Sequence, residues 1–118
     1  MRIEKERILL YDRNKQEDLI MKYFMVEGML KNVDKLNDEI MKQHMAYTQK
    51  AMDEGMIFLS GLKKDQSGGV FLIKSDTEER LKEYLDHEPM HLHGIQDYRY
   101  VEFDAHYISE DSHWFSEL

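Results

Sequence analysis

The sequence contains no cysteine, a single proline and no long apolar run. The absence of cysteine excludes disulfides, thiolate zinc sites and cysteine nucleophiles. No stretch approaches the roughly 20 apolar residues that a membrane-spanning helix needs. Residues 1–19 are interrupted by charges and lack the apolar core of a signal peptide. From these absences we expect a protein without a membrane span, located in the cytoplasm.

Positive charge is scarce: 16 Lys and Arg residues stand against 24 Asp and Glu residues, giving a net charge of −8. A surface that binds nucleic acid needs a basic patch, and the only local candidate is the pair Lys63 and Lys64. We therefore expect no nucleic-acid partner. A chain of 118 residues is long enough for one domain with one hydrophobic core.

Apolar patterning predicts six elements in the order β-α-β-β-α-β. The predicted strands cover residues 22–30, 56–61, 69–74 and 96–107. The first helix lies between Asn37, a good N-cap, and Gly55, a good stop. The second begins at Ser75, with Glu78 completing a capping box, and ends near residue 87. This order is typical of the ferredoxin-like α+β fold, a four-stranded antiparallel sheet with two helices on one face.

Residues 21–107 form the predicted domain, between an N-terminal extension (1–20) that is helical in part and a C-terminal tail (108–118). The tail contains Trp114 and Phe115. Aromatic residues this close to a terminus usually dock, either on their own chain or on a partner.

The first predicted strand is apolar on both sides, whereas a strand in a sheet covered on one face only usually alternates apolar with polar residues. One alternating set is Phe24, Val26 and Leu30, and the other is Tyr23, Met25 and Met29. Two helices on one face leave the second set uncovered. We therefore predict a homodimer through the open sheet face. The alternative is that segments at the ends of the same chain cover this face.

Residues 87–94 read H-E-P-M-H-L-H-G and match the pattern H-E-x-x-H, which on a helix forms the zinc site of a hydrolase. Pro89 disfavours that interpretation, because proline removes a backbone N–H and pushes the preceding residue, Glu88, toward an extended conformation. We predict that the chain breaks between His87 and His91, so that the two imidazoles do not share a helix face.

His44 is the most informative residue of the first helix, because it falls within an apolar stripe. The other members of the stripe are Ile40, Met41, Met45, Thr48, Ala51 and Met52. We therefore expect His44 to point toward the sheet. It is either a core histidine satisfied by a neighbouring polar group or a general base or acid that lines a cavity.

Glu88 is the candidate carboxylate partner of His44, with a solvated surface glutamate as the alternative. Tyr47, Ser60 and His91 are candidate substrate contacts, and each has an ordinary structural role as its alternative. A divalent metal ion is a further alternative, with ligands drawn from His44, Glu88, His91 and His93. Our expectation is a site without metal or cofactor.

Four short stretches carry a family resemblance: K-Y-F-M-V-E-G, Q-H-M-A-Y, E-G-M-I-F-L-S-G and E-P-M-H-L-H-G-I-Q-D-Y-R-Y-V-E-F. Over about residues 22–103 the chain resembles the YciI-like (YCII-related) family. The resemblance implies a small member of the dimeric ferredoxin-like α+β barrel group. It also implies a candidate active-site pair, because the family has a histidine on the first helix and an aspartate in a D-P-F turn. His44 matches that histidine, and Glu88 stands at the aspartate.

Two positions depart from the family pattern. Glu88 is longer than the usual aspartate by one methylene, and Leu62 stands where a proline is common. Relatives of the family carry out lyase or isomerase chemistry on small cyclic or aromatic compounds. The resemblance therefore implies a small-molecule enzyme that uses His44 and Glu88 for proton transfer. The alternative is a non-catalytic, ligand-binding or stress-related dimer that uses the same cavity.

Overall fold

The computed structural model describes residues 20–115 as one four-stranded antiparallel sheet with helices on one face. The strands are β1 (Lys22–Leu30), β2 (Ile57–Leu62), β3 (Gly69–Ser75) and β4 (Gln96–Phe103), and the helices are α1 (Asp38–Asp53), α2 (Glu78–Asp86) and α3 (Pro89–Leu92). The strand order is β2-β3-β1-β4. This confirms the predicted ferredoxin-like α+β fold, to which the short helix α3 is added. The predicted N-terminal helix lies outside the described residues.

The ends of the elements differ from prediction by two residues or more at two places, the start of α2 and the end of β4. Ser75 does not cap α2, because β3 continues through it and its hydroxyl donates to the Thr77 carbonyl at 2.8 Å. Thr77 is the N-cap instead, and its side chain accepts from the Arg80 amide at 3.1 Å. The last strand ends at Phe103, not at Tyr107. In α1 the prediction is confirmed, since the Asn37 side chain accepts from the Ile40 amide at 2.8 Å.

The main core lies between the sheet and the helices. Alternate residues of the strands supply its sheet side: Phe24, Val26, Ile57, Phe71 and Ile73. The helices supply Ala51, Leu81 and Leu85. Each fully buried Val, Leu, Ile or Phe side chain of this core stabilises the fold by roughly 1.5–3 kcal/mol relative to leaving it exposed.

The inward face of α1 is rotated from the predicted stripe. Met45 is 62% exposed and Met41 is also exposed, whereas Ile40 and Ala51 are buried. The stripe that faces the protein therefore runs through Ile40, His44, Tyr47 and Ala51, a spacing that keeps one side of an α-helix. His44 is on this face as predicted, but a fifth of its side chain surface remains exposed to solvent.

Residues 20–115 cover the opposite face of the sheet only in part. Trp114 crosses one end of it, with its ring 5.6 Å from that of Tyr23 and 5.1 Å from that of Phe58, and its indole N–H donates to the Gly55 carbonyl at 2.9 Å. The aromatic tail thus docks on its own chain. Beyond this tail, the side chains of Met25 and Val101 stay more than half exposed.

No helix among residues 20–115 is long and apolar enough to cross a membrane.

We expect Trp114→Ala to lower the free energy of unfolding by about 2–3 kcal/mol. The value is below the roughly 3–5 kcal/mol for a fully buried aromatic residue because Trp114 is half-buried. Urea unfolding measures the change. Tyr107→Ala is the control, because this tail aromatic is 93% exposed and its loss should cost no more than about 0.5 kcal/mol. Equal losses in both variants would contradict the docking of the tail.

Candidate active site

Pro89 divides the H-E-x-x-H stretch between two helices. α2 ends at Asp86, Glu88 is extended with φ −66° and ψ 132°, and Pro89 is the first residue of α3. Proline is well suited to that position, since its missing N–H is not needed there. The imidazole of His87 is turned back along α2, where its Nδ1 donates to the Glu83 carbonyl at 2.8 Å. The predicted chain break is confirmed.

A small second core cluster holds α3 against α1. It consists of Ile40, Met90 and Ile95, all buried. Gly94 ends α3 in the left-handed region with φ 74°, which allows the Ile95 amide to donate to the Met90 carbonyl at 2.7 Å. Because His44 follows Ile40 by one helical turn, this cluster brings the start of α3 beside the imidazole.

Glu88 and His44 are in direct contact. Oε2 of Glu88 lies 2.6 Å from Nδ1 of His44 and also accepts from the Met90 amide at 3.2 Å. The other carboxylate oxygen, Oε1, accepts from the Tyr98 hydroxyl at 2.5 Å. Glu88 is only 2% exposed. The carboxylate is therefore an acceptor with donors on both oxygens, directed into the protein and not toward solvent.

Burial and hydrogen bonding have opposite effects on the pKa of the Glu88 carboxyl group. Burial raises its pKa, but the hydrogen bonds from His44 and Tyr98, the charge of His44 and the Met90 amide together lower the pKa below its ordinary value. Glu88 is therefore ionised at neutral pH. Facing a carboxylate, Nδ1 of His44 carries the proton, and in the neutral ring Nε2 carries the lone pair.

Tyr98, the donor to Oε1 of Glu88, was not predicted from the sequence. Burial and the charge of Glu88 raise the pKa of its phenol, so it stays protonated and donates. The alternation of β4 was a usable signal. Tyr98 is paired with Gly28 of β1 and shares the helix-covered face with Tyr100, where a phenol usually finds a partner for its hydroxyl.

Tyr47, which follows His44 by one turn of α1, borders a cleft. Its hydroxyl donates to the Tyr84 carbonyl at 2.7 Å, and the two rings stack at 4.7 Å. The cleft has a volume of about 770 Å³, and its walls include Tyr47, Glu54, Lys74, Arg80, Tyr84 and His87. Burial, with the charge of Glu88 adding to it, raises the pKa of Tyr47 to about 12, so its hydroxyl is neutral at physiological pH.

Ser60 and His91 are not part of the contact between His44 and Glu88. Ser60 is exposed on β2, at the edge of the sheet. The Nδ1 of His91 donates to the Gln96 carbonyl at 2.8 Å, next to the ring of Tyr98. Within residues 20–115, no three His, Asp or Glu side chains are grouped closely enough to hold a metal ion. The ligand set considered from the sequence is thus not assembled there.

The sheet order and the pair between α1 and the start of α3 define the class, a ferredoxin-like α+β domain with a buried carboxylate against a histidine. The family model of the YCII-related domain matches residues 9–104, and the chain belongs to this family. A search of curated proteins found no match. The family match ends just after β4, so the docked residue Trp114 lies beyond it.

Proposed function

We propose that the protein is a small-molecule enzyme in which His44 transfers a proton through Nε2 and Glu88 positions the imidazole. The observation that carries this proposal is the 2.6 Å contact between His44 Nδ1 and the buried Glu88 carboxylate. A carboxylate in this place fixes the tautomer of the ring and stabilises the imidazolium that forms when Nε2 takes a proton. Tautomer control of this kind is a recurring arrangement in general base catalysis.

The reaction class we propose is proton transfer coupled to elimination or isomerisation. Nε2 takes a proton from a carbon next to a carbonyl group, and the electron pair left behind delocalises onto the carbonyl oxygen. Return of the proton from the imidazolium to a different carbon gives an isomer. Departure of a leaving group at the next carbon gives an elimination product. His44 is suited to both isomerisation and elimination because its side chain is partly exposed, whereas its partner Glu88 is buried.

The ligand we propose is a small cyclic or aromatic carbonyl compound held in the cleft beside Tyr47. A volume of about 770 Å³ is within the range of small-molecule sites, roughly 300–1,000 Å³. The stacked rings of Tyr47 and Tyr84 supply an aromatic wall. Tyr47 follows His44 by one turn of α1, so this aromatic wall and the imidazole lie on the same side of the helix.

The functional unit we propose is a homodimer formed through the open sheet face. Exposed apolar side chains form the centre of this face: Met25, Leu59, Val70 and Val101. Beside them Glu27 pairs with both Lys63 and Arg99 at 2.5 Å. A face that carries both acidic and basic groups can form a two-fold interface with a second copy of itself. In such an interface the acidic groups of each copy face the basic groups of the other.

One observation favours the second candidate, a non-catalytic ligand-binding protein. The walls of the 770 Å³ cleft include Tyr47 and Tyr84 but not His44 or Glu88. A ligand can therefore occupy this cleft without touching the proposed base. In that case the contact between His44 and Glu88 has a structural role only.

Exchange of carbon-bound protons for deuterium separates the two candidates. The protein is incubated in D₂O with a panel of cyclic and aromatic ketones, and loss of the α-proton signals is followed by ¹H NMR. We expect exchange with at least one compound, reduced by about 10²-fold or more in His44→Ala, as for removal of a general base. His93→Ala is the control, since His93 is an exposed histidine near the same turn.

Full exchange activity in His44→Ala would show that the enzyme proposal is wrong. The binding candidate predicts a different pattern: no exchange, with ligands raising the unfolding temperature of wild type and His44→Ala equally.

A further inference from the structure

Behind Glu88 the hydrogen bonds continue through the half-buried Tyr98 and the buried Gln96. The Tyr98 hydroxyl donates to Glu88 Oε1, and the Gln96 side-chain amide donates to the Tyr98 oxygen at 2.9 Å. Gln96 is 3% exposed. The direction of the second bond follows from the first. Since Tyr98 gives its only proton to Glu88, its oxygen must accept, and the amide NH₂ must face it.

The neighbouring strand leaves room for this amide. A Cβ on Gly28 would lie 2.8 Å from Cδ of Gln96 and still closer to its Oε1. Gly28 is buried in β1, directly opposite Tyr98 in the β4 register. A glycine inside a strand often marks a place where another group approaches closely. At this place the approaching group is the Gln96 side chain.

We propose that Tyr98, oriented by Gln96, is a positioning residue that holds Glu88 with Oε2 toward His44. This inference rests on the proposed role of His44 as the proton-transfer group. The last torsion of a glutamate side chain is broad, so one hydrogen-bonded oxygen alone does not fix the carboxylate plane. A donor on Oε1 and two donors on Oε2 do fix it, and the imidazole then has one preferred orientation.

Tyr100 offers a matched comparison on the same strand. Its hydroxyl donates to Glu78 Oε2 at 2.7 Å, so it makes the same kind of bond from the same face of β4. Glu78 has no bond to His44 and belongs to the first turn of α2. Removal of the Tyr100 hydroxyl therefore deletes a tyrosine–glutamate bond without touching the proposed site.

The test is a carboxyl ¹³C NMR titration of Glu88 in wild type, Tyr98→Phe and Tyr100→Phe. The Tyr98 hydrogen bond helps to lower the pKa of Glu88, so we expect Tyr98→Phe to raise that pKa toward or above its ordinary value. Tyr100→Phe should leave it unchanged. A Glu88 pKa that is the same in wild type and Tyr98→Phe would overturn the proposal.

A second measurement applies if Tyr98→Phe does not fold. In wild type, a Tyr98 hydroxyl proton protected from exchange with water would support the proposal, and a rapidly exchanging one would overturn it. Neither measurement uses turnover. If His44→Ala keeps its exchange activity, the proposed function fails while the Glu88 titration still decides whether Tyr98 holds the carboxylate.

Discussion

Glu88→Ala is expected to lower the free energy of unfolding by roughly 2–4 kcal/mol at neutral pH. The variant leaves the Tyr98 hydroxyl and the Met90 amide without the carboxylate that accepts from both, and it removes the N-cap of α3. Urea unfolding measures the loss. Asp86→Ala is the control, because this exposed carboxylate two residues earlier should change the stability by no more than about 0.5 kcal/mol.

The difference in the free energy of unfolding between wild type and Glu88→Ala should also depend on pH. The pKa of Glu88 is lowered from its ordinary value of 4.5, so its ionised form stabilises the fold fully above pH 4.5, and this stabilisation is lost as the pH falls through the folded-state pKa. The stability difference between wild type and Glu88→Ala should therefore narrow below about pH 4.5. A difference that stays constant down to pH 3 would contradict an ionised Glu88.

Val101→Glu is expected to convert the proposed homodimer into a monomer, weakening association by about 10²-fold or more. The side chain is 59% exposed on the open sheet face, directly opposite Met25 in the register, and a two-fold interface would bury the new charge twice. Light scattering after gel filtration over a range of protein concentrations measures the change.

Leu92→Glu is the control for this prediction. Leu92 is 63% exposed at the end of α3, away from the sheet face, so its substitution should leave the proposed dimer intact. A wild type that is monomeric at every concentration would contradict the proposed homodimer. So would a Val101→Glu variant that associates as strongly as Leu92→Glu.

The fold was predictable from the sequence because its signals are local. β1 alternates between two faces, α1 has a cap at Asn37 and a stop at Gly55, and Pro89 marks a break that the structure places at the start of α3. Such signals depend on residues within a few positions of each other. The meeting of His44 and Glu88 is different, since they are 44 residues apart. Local patterns singled out each residue, His44 in the apolar stripe of α1 and Glu88 before Pro89, and the family resemblance supplied their pairing.

Other parts of the site depended on tertiary packing and were not predictable in the same way. The face of α1 turned inward is decided by Ile40 packing on Met90 and Ile95, which no pattern within the helix contains. Tyr98 joins Glu88 because β4 lies beside β1 and beneath α3, and its role became visible only once that order was known. The docking of Trp114 on Tyr23 likewise joins residues 91 positions apart in the sequence.

The most direct test of the account is the tautomer of His44, read from the ¹⁵N chemical shifts of its ring in wild type. We predict that the neutral ring carries its proton on Nδ1, bonded to Glu88, with the lone pair on Nε2. A neutral ring protonated on Nε2 would contradict the central claim, because the nitrogen proposed to accept a proton would already hold one.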